Sequence, residues 1–430
     1  MIWEGFYYAR TGYGEATRQY AVALEDLGIP LTARLAPSPD HRHGLSPALI
    51  KRVESMMRRQ PQGAEVRVQQ VLAPDFARDP DAVANIGYTV LESDRIPRHW
   101  VSACQEMDEV WVPSRFCLES FVRSGVSESK LHVIPHGVDC DRFRPEAERL
   151  ELEGARGFIF LSVFDWVWRK GWDVLLRAYY SEFGADEDVC LVVRASRLNS
   201  AEISRFVADE FNAGPRPNLL ILPFAVGEEM MPSLYATADA FVVPSRGEGW
   251  GLAYSEAMAA GLPTIATRYG GHLDFMNDGN SFLVEVDRMV PMDEEVRLLL
   301  KAEVDLQWAE PSIDHLREIM RWVFEHREEA KARGRVARAA MCRATWRRAA
   351  LRVWERIEEL GEHCETSVAA MLALAAAQES GTGDENGVDK LGELVAARLA
   401  ELERVDELSE TIVAQLRKRT PAALRRRLHR

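Results

Sequence analysis

Apolar and β-branched residues recur along the chain in short runs, and amphipathic stretches of helix length separate them. Apolar runs of about four to eight residues predict buried strands, and their alternation with helices predicts an α/β fold with parallel sheets. The predicted strands lie near 87–91, 108–112, 130–135, 158–164, 189–194, 218–223, 240–243 and 281–284. The predicted helices cover 16–27, 46–59, 174–180, 231–238, 313–325, 328–342 and 346–360.

One stretch of this pattern combines a buried strand, a glycine-rich loop, a helix and a second strand. The strand Ala240–Val243 runs into a loop with glycines at 247, 249 and 251. Gly261-Leu262-Pro263 ends the helix that follows, and Thr264 to Thr267 begins the next strand. The loop therefore lies at the carboxyl end of a sheet, where open α/β folds bind ligands.

This loop carries the residue types that a phosphorylated sugar ligand needs. The helix start near Gly251 and Leu252 offers backbone N–H groups to a diphosphate. Glu256 in the helix can accept hydrogen bonds from a ribose, and Glu248 in the loop from sugar hydroxyls. For either glutamate alone, a solvated surface position is the simpler interpretation. The glycines and the strand–helix context together favour a site.

The stretch PSRGEGWGLAYSEAMAAGLPTIAT, Pro244 to Thr267, resembles over its whole length the E-x7-E signature of the family 4 retaining glycosyltransferases. Two further segments, VIPHGVDCDRFRP and RKGWDVLLRAY, are similar to that family. The resemblance implies the GT-B fold, in which two Rossmann-like domains face each other across a cleft. It implies an acceptor domain over 1–150, a nucleotide-sugar domain over 151–345 and a crossover helix over 346–364.

The resemblance also implies a metal-independent transfer of a hexose-type sugar from a nucleotide-diphosphate sugar, with no cofactor. Arg169, Lys170 and Glu248 are the expected catalytic residues. The cations would meet the charge that grows on the leaving diphosphate, and Glu248 would orient the donor sugar. The expected substrate-binding residues are Gly12, Gly14, Gly249, Trp250, Gly251, Leu252 and Glu256.

Several positions depart from the family pattern or leave alternatives open. Phe164 lies where many members have an arginine, a task that Arg169 could take over. Glu92 lies where the family often has an acceptor-side histidine, and a surface position for it is equally compatible. His136 either faces the cleft or caps a strand, and His272 is interpreted as a polar turn residue rather than a sugar contact.

Metal binding is not expected at the two segments with suitable residue types. Asp139-Cys140-Asp141 has D-x-D spacing, but that motif serves the metal-dependent GT-A fold, so a turn or helix cap is the preferred role. Asp40-His41-Arg42-His43 contains residue types that bind metals, but its two histidines flank an arginine in a predicted loop, which disfavours a metal site. A missing G-x-G-x-x-G fingerprint after Tyr8 also disfavours a dehydrogenase.

Composition narrows the partners and the location. The 430-residue chain has a net charge of −14, which argues against general nucleic-acid binding. It shows no secretory signal at its start, and its longest apolar run, Val368 to Ala377, is too short to span a membrane. Six scattered cysteines suggest reduced thiols. The expected location is cytoplasmic, with a peripheral position at the inner membrane surface as a further hypothesis.

Residues 365–430 have no place in a two-domain GT-B core. They predict a helical appendage with a short coiled coil, which could support a homo-oligomer. Residues 417–430 contain basic side chains and no acid, which could contact an anionic membrane or an acidic partner; a disordered charged tail is the alternative.

The predicted function is therefore a glycosyltransferase acting on a glycan, lipid or other hydroxyl acceptor. The alternatives are an inactive nucleotide-sugar-binding scaffold of the GT-B fold and a GT-B sugar-nucleotide epimerase. Turnover of a nucleotide-sugar would separate the first alternative from an enzyme. An epimer formed without any acceptor would identify the second.

Overall fold

The computed structural model of the protein describes residues 1–37, 45–61, 65–196, 200–210, 215–223 and 227–361. The predicted appendage over 365–430 and the segment Asp40-His41-Arg42-His43 lie outside these residues, so the interpretations made for them stay predictions.

The first half of the chain forms a six-stranded parallel sheet in the order β2-β1-β3-β4-β5-β6. Its strands are β1 (Ile2–Gly5), β2 (Thr32–Leu35), β3 (Val66–Gln70), β4 (Ala84–Tyr88), β5 (Glu109–Val112) and β6 (Leu131–Val133). Its helices are α1 (Gly12–Asp26), α2 (Pro47–Met57), α3 (Arg98–Glu106) and α4 (Arg115–Ser124).

The second half forms another six-stranded parallel sheet in the order β12-β11-β10-β7-β8-β9. Counted from its first strand, this is the strand order of a dinucleotide-binding fold. Its strands are β7 (Phe158–Asp165), β8 (Val189–Ser196), β9 (Asn218–Pro223), β10 (Ala240–Val243), β11 (Thr264–Thr267) and β12 (Phe282–Val284). Its helices are α5 (Trp172–Glu182), α6 (Ser200–Glu210), α7 (Met231–Thr237) and α8 (Leu252–Ala259).

A two-stranded antiparallel hairpin follows the second sheet. It consists of β13 (Val286–Pro291), the short helix α9 (Glu294–Leu299) and β14 (Gln307–Pro311). We call residues 286–311 the arm; the hydrophobic pattern did not predict it. The helices α10 (Ile313–Glu325) and α11 (Arg327–Met341) come next, and a last described helix, α12, covers residues 346–361.

The last described helix returns to the first half of the molecule. Trp346, Ala350, Val353 and Ile357 are buried in the hydrophobic cluster that also contains Trp3 and other residues around the first sheet. Their spacing places them on one face of α12, as expected for an amphipathic helix. Arg356 on the same helix forms an ion pair with Glu109 of β5. The chain therefore crosses between the two sheets twice.

Two features differ from the sequence interpretation. Helix α1 begins at Gly12, because the Thr11 side chain caps it by accepting from the Gly14 N–H, so Gly12 and Gly14 lie in its first turn rather than in a preceding loop. Cys140 and Cys342 are joined by a disulfide, with Cα atoms 5.6 Å apart. The interpretation of all six cysteines as reduced thiols is wrong for this pair, since residues 202 positions apart meet where the chain crosses between the sheets.

Candidate functional site

The candidate site lies where the strand order of the second sheet reverses, between β7 and β10. The loops after these two strands leave the same edge of the sheet, and they contain Arg169 with Lys170 and Glu248 with Gly249. The two loops are joined by backbone, since the Arg246 N–H donates to the Arg169 carbonyl at 2.7 Å. Open α/β sheets bind ligands at this switch point.

A cavity of about 410 Å³ opens at this position between the two halves of the molecule. Every residue predicted for the site except Gly14 lines it: Gly12, Arg169, Lys170, Glu248, Gly249, Trp250, Gly251, Leu252 and Glu256. The predicted cations and carboxylates therefore share one cavity.

Glu248 is the centre of a buried ion cluster. Its side chain is 8% exposed, Lys170 Nζ lies 2.5 Å from Oε1, and Arg169 Nη1 lies 3.6 Å from Oε2. Burial alone would raise the pKa of this carboxyl, but Lys170 and Arg169 outweigh it and lower the pKa to about 2. Glu248 is therefore an anion at neutral pH, and its field holds both cations at the cavity wall.

Arg169 connects this cluster to the first half of the molecule. Its guanidinium donates to the Gly247 carbonyl at 2.5 Å and lies 3.1 Å from the carboxylate of Glu92, which follows β4. Burial opposes its charge, yet Glu92 and Glu248 raise its pKa. Glu92 also lines the cavity, so it has a cleft position rather than a surface one.

Glu256 has the opposite electrostatic environment. The Tyr235 hydroxyl of α7 donates to its Oε2 at 2.8 Å. Burial raises its pKa to about 7, although the Tyr235 hydrogen bond and the charge of Arg142 oppose the shift. A carboxyl with this pKa changes its ionisation near neutral pH. It can accept hydrogen bonds from ligand hydroxyls once it is ionised.

Helix α8 begins at the cavity without a side-chain cap. Gly251 precedes it with a left-handed φ of 94°, which favours glycine, and makes no side-chain cap hydrogen bond. Leu252 and Ala253 in its first turn line the cavity. The start of α8 therefore meets the cavity without a side-chain cap, and its binding of an anionic group stays a prediction.

The two predicted glycines of the first half have different roles. A Cβ at Gly12 would lie 3.8 Å from Leu252 Cδ1, which places Gly12 directly across the cavity from the start of α8. A Cβ at Gly14 would lie 2.1 Å from the Ala9 carbonyl oxygen, and Gly14 does not line the cavity. Close backbone packing by itself accounts for a glycine at this position, and the substrate contact of Gly14 stays a prediction.

The structure also gives the positions of the other residues that the sequence analysis considered. His136 lines the cavity, and its Nδ1 lies 3.0 Å from the Tyr88 hydroxyl; burial lowers its pKa to about 3. His272 does not line the cavity; it is fully buried, with Nε2 2.7 Å from the Thr267 carbonyl oxygen.

Asp139 accepts hydrogen bonds from the backbone N–H groups of Asp141 and Arg142, so it has the role of a turn residue. Phe164 is a buried part of the cavity wall.

Sequence reasoning missed four arginines that line the cavity: Arg10, Arg18, Arg142 and Arg194. Arg194 lies near the carboxyl end of β8, where it pairs in register with Val163 of β7. Burial lowers its pKa, and Arg10 across the cavity adds to that effect. A single arginine in the otherwise apolar run of β8 was the signal that could have found it.

Within the described ranges, no group of three or more His, Cys, Asp or Glu side chains is arranged to hold a metal ion. A search of the same residues finds no helix with the length and apolar character that a membrane crossing requires.

Comparison with known sequences gives a match in the second half of the chain. The family described as "Glycosyl transferases group 1" matches residues 155–301. A GDP-mannose-dependent alpha-(1-6)-phosphatidylinositol monomannoside mannosyltransferase of Mycolicibacterium smegmatis is 28% identical over 188 residues, 41% of this chain and 48% of that protein. The lipopolysaccharide core biosynthesis mannosyltransferase LpsB of Rhizobium meliloti is 32% identical over 181 residues, 40% of this chain and 48% of that protein. The chain thus spans about half the length of these two relatives.

Comparison with solved structures covers more of the chain. Anabaena Alr3699/HepE in complex with UDP-glucose has a TM-score of 0.62 at 13% identity, over 83% of this chain and 99% of that one. WaaG, a glycosyltransferase involved in lipopolysaccharide biosynthesis, has a TM-score of 0.55 at 14% identity, over 82% of this chain and 98% of that one. These similarities confirm the predicted GT-B fold. Residues 155–301 match the group 1 glycosyltransferases, and the resemblance to family 4-like glycosyltransferases that the signature indicated is confirmed.

Proposed function

We propose that the protein is a metal-independent retaining glycosyltransferase. It moves a hexose-type sugar from a nucleotide-diphosphate sugar to a hydroxyl of a glycan or lipid. The observation that carries this proposal is the shared cavity, in which Lys170 and Arg169 flank Glu248 beside the uncapped start of α8. The names of relatives that act with GDP-mannose, and of a similar structure with bound UDP-glucose, support a nucleotide-sugar donor.

The cavity supplies positive charge where the leaving group needs it. Breaking the bond between the anomeric carbon and the phosphate builds negative charge on the diphosphate. Lys170, Arg169 and the first amides of α8 would stabilise that charge, and preorganised groups of this kind are usually the largest catalytic contribution. Glu248 keeps both cations in place and would orient the donor sugar. Glu256 would bind the ribose.

The acceptor and the location belong to the same proposal. One relative is named as a phosphatidylinositol monomannoside mannosyltransferase and another as a mannosyltransferase of lipopolysaccharide core biosynthesis. We therefore propose a membrane-derived glycolipid or glycan acceptor, reached from the cytoplasmic side by a peripheral enzyme. Product analysis after incubation with membrane lipid extract and a labelled nucleotide-sugar tests this part.

The donor can be identified by a thermal-shift screen of UDP-, GDP- and ADP-sugars, because a ligand of the native state raises the melting temperature. We expect one base to stabilise the protein more than the others. A shift with slow hydrolysis of the donor supports the enzyme, whereas a shift without any turnover supports the inactive scaffold. An epimer in the absence of acceptor would identify an epimerase.

Lys170→Ala tests the catalytic assignment. We expect kcat to fall by about 10²–10³, the usual effect of removing one group that stabilises a developing anion, while the donor Kd changes far less. Lys331→Ala, at an exposed lysine of α11 that pairs with Glu328, is the matched control and should keep normal turnover. An unchanged kcat in Lys170→Ala would remove Lys170 from the mechanism.

A further inference from the structure

The arm, residues 286–311, belongs by sequence to the second half of the molecule but packs on the first. Its residues Met292, Leu306 and Trp308 are 4%, 1% and 1% exposed. They lie in one hydrophobic cluster with Leu91 and Trp100, which belong to the first half. The arm therefore bridges the two halves at one end of the cleft.

Trp308 holds the segment that contains Glu92. Its indole Nε1 donates to the Glu92 carbonyl at 2.7 Å. The next residues are held too, since the Gln307 N–H donates to Asp94 Oδ1 at 2.7 Å and the Asp94 N–H to the Gln307 carbonyl at 3.3 Å. Because a Cβ at Gly247 would lie 2.5 Å from the Glu92 carbonyl oxygen and 3.2 Å from Trp308 Cδ1, three segments meet here without spare room.

The same strand of the arm, β14, also holds the loop that contains Glu248. The Ala309 N–H donates to the Arg246 carbonyl at 2.9 Å, and both carboxylate oxygens of Glu310 accept from the Arg246 guanidinium, at 2.6 and 2.9 Å. Asp173 accepts from the same guanidinium twice, each at 2.8 Å. Arg246 is 1% exposed and lies two residues before Glu248, so this contact fixes the start of the loop.

We propose that the arm positions one of the catalytic cations, Arg169: Trp308 fixes Glu92, and the Glu92 carboxylate, 3.1 Å from Arg169, holds that guanidinium beside Glu248. This inference rests on the proposed function. It makes Glu92 a positioning residue and not the acceptor-side base, because its carboxylate is committed to Arg169. Trp308 is a positioning residue at one further step.

Trp308→Phe tests the first link, because phenylalanine keeps an aromatic ring but lacks the N–H donor. Hydrogen exchange of the full-length protein, followed by mass spectrometry, reads the segments 88–95 and 244–250. We expect exchange in 88–95 to become about tenfold faster, the usual effect of one lost buried hydrogen bond on local opening, and exchange in 244–250, which Ala309 and Glu310 hold, to change less. Leu299→Ala, at an 80% exposed position of the same arm, should leave both segments unchanged.

Exchange that is unchanged in Trp308→Phe would overturn the proposal. An equal increase over the whole protein would also overturn it, since that result indicates a purely structural arm. This measurement needs no substrate. If the wild-type protein turned over no nucleotide-sugar, the proposed function would fail while the exchange result still decided whether the arm holds these segments.

Glu92→Gln and Glu92→Asp test the second link in the donor hydrolysis assay. A positioning role predicts that Gln lowers kcat by about tenfold or more, the effect of losing a charge-assisted contact, without changing the shape of the pH–rate profile. Asp keeps the charge and should recover part of the rate. Loss of one limb of the profile in Glu92→Gln would assign Glu92 as a base and overturn the inference.

Discussion

Glu248 and Glu256 are eight residues apart and line one cavity, yet their environments shift their pKa values in opposite directions. Two cations contact Glu248, whereas Glu256 contacts the neutral hydroxyl of Tyr235 and has its cations at longer range. The proposed ribose contact is therefore the one whose strength changes with pH near neutrality, and the proposed sugar contact is ionised throughout that range.

Donor binding should strengthen as pH rises through about 7. The pKa of Glu256 is about 7, and only its ionised form accepts hydrogen bonds at both oxygens; Glu15, Arg142 and Arg194 are the charged groups around it. Titration calorimetry at pH 6 and pH 8 should show a lower donor Kd at the higher pH. Glu256→Gln should bind weakly and with little pH dependence between these values. A wild-type Kd that is constant over this range would contradict the assignment.

The same shift gives a sign for stability. The folded-state pKa of Glu256 lies above its ordinary value, so the stability that its neutral form contributes is complete below about pH 4.5 and is lost as pH rises to about 7. In the absence of donor, Glu256→Gln should therefore gain stability relative to the wild type between these two pH values. Urea unfolding of both proteins at pH 5 and pH 8 measures the difference in their free energies of unfolding. If the advantage of Glu256→Gln over the wild type became smaller from pH 5 to pH 8, the prediction would be contradicted.

At the residue scale, the sequence predicted which residues meet but not their electrostatics. The signature placed Glu248 and Glu256 correctly in one cavity, because their spacing is local. The pKa of Glu256 depends first on its burial, and then on groups such as Tyr235 and Arg194, which come from other elements. The helical setting of Gly12 and Gly14 was not predicted, because a Gly-x-Gly pair looks the same in a ligand loop and in the first turn of a tightly packed helix.

At the scale of elements, the site depends on close packing between the loops after β7 and β10. Gly171 precedes α5 with a left-handed φ of 68°, and a Cβ there would lie 1.9 Å from the Pro244 carbonyl oxygen. Pro244 begins the loop that contains Glu248. An added methyl group at Gly171 would therefore push the two loops of the site apart.

Gly171→Ala should destabilise the protein by about 2–4 kcal/mol, which combines the cost of a left-handed alanine with that of overpacking. Gly154→Ala is a matched control: its φ is 88°, but no atom lies within 4 Å of the added Cβ, so only the conformational cost of about 1 kcal/mol applies. Thermal melts of both variants measure the difference. Equal losses would show that the Pro244 contact can relax.

Elements with a strong pattern were predicted, and the arm was not. β10 and β11 are buried at every position and read clearly as apolar runs. β13 is mostly exposed, so its residues show no period of burial, and its counterpart β14 packs on a segment more than 200 positions earlier in the chain. A contact of that kind is invisible to local pattern, because it is set by how the two halves meet.

At the scale of the whole molecule, the two halves are joined around the cleft at several points. Ser114 of the first half donates to the Gly249 carbonyl at 2.6 Å, and the Arg115 N–H donates to Asp274 Oδ2 at 2.9 Å. The arm adds its contacts to Glu92 and Asp94. These intramolecular hydrogen bonds therefore join the two halves next to Gly249 and Glu92, which line the cavity.

The two connections between the halves also meet. Cys140 lies in the segment that leaves β6 and Cys342 in the segment that leads to α12, and the backbone there is paired, since the Val138 N–H donates to the Ala344 carbonyl at 2.9 Å. The disulfide thus fastens the outgoing and returning chain at one place. Reduced thiols were one argument for a cytoplasmic location, and this argument does not apply to Cys140 and Cys342.

Reduction of the Cys140–Cys342 bond should lower the melting temperature of the intact protein. A crosslink that closes a loop of 202 residues restricts the unfolded chain, and the usual contribution of a disulfide is about 2–4 kcal/mol. Thermal melts with and without dithiothreitol measure this difference. The double variant Cys140→Ser with Cys342→Ser should melt under both conditions at the temperature of the reduced wild-type protein. Thiol titration of the denatured protein before and after reduction is the independent check, because the bridge removes two of the six cysteines. Six reactive thiols before reduction, or the same melting temperature in all four samples, would contradict the prediction.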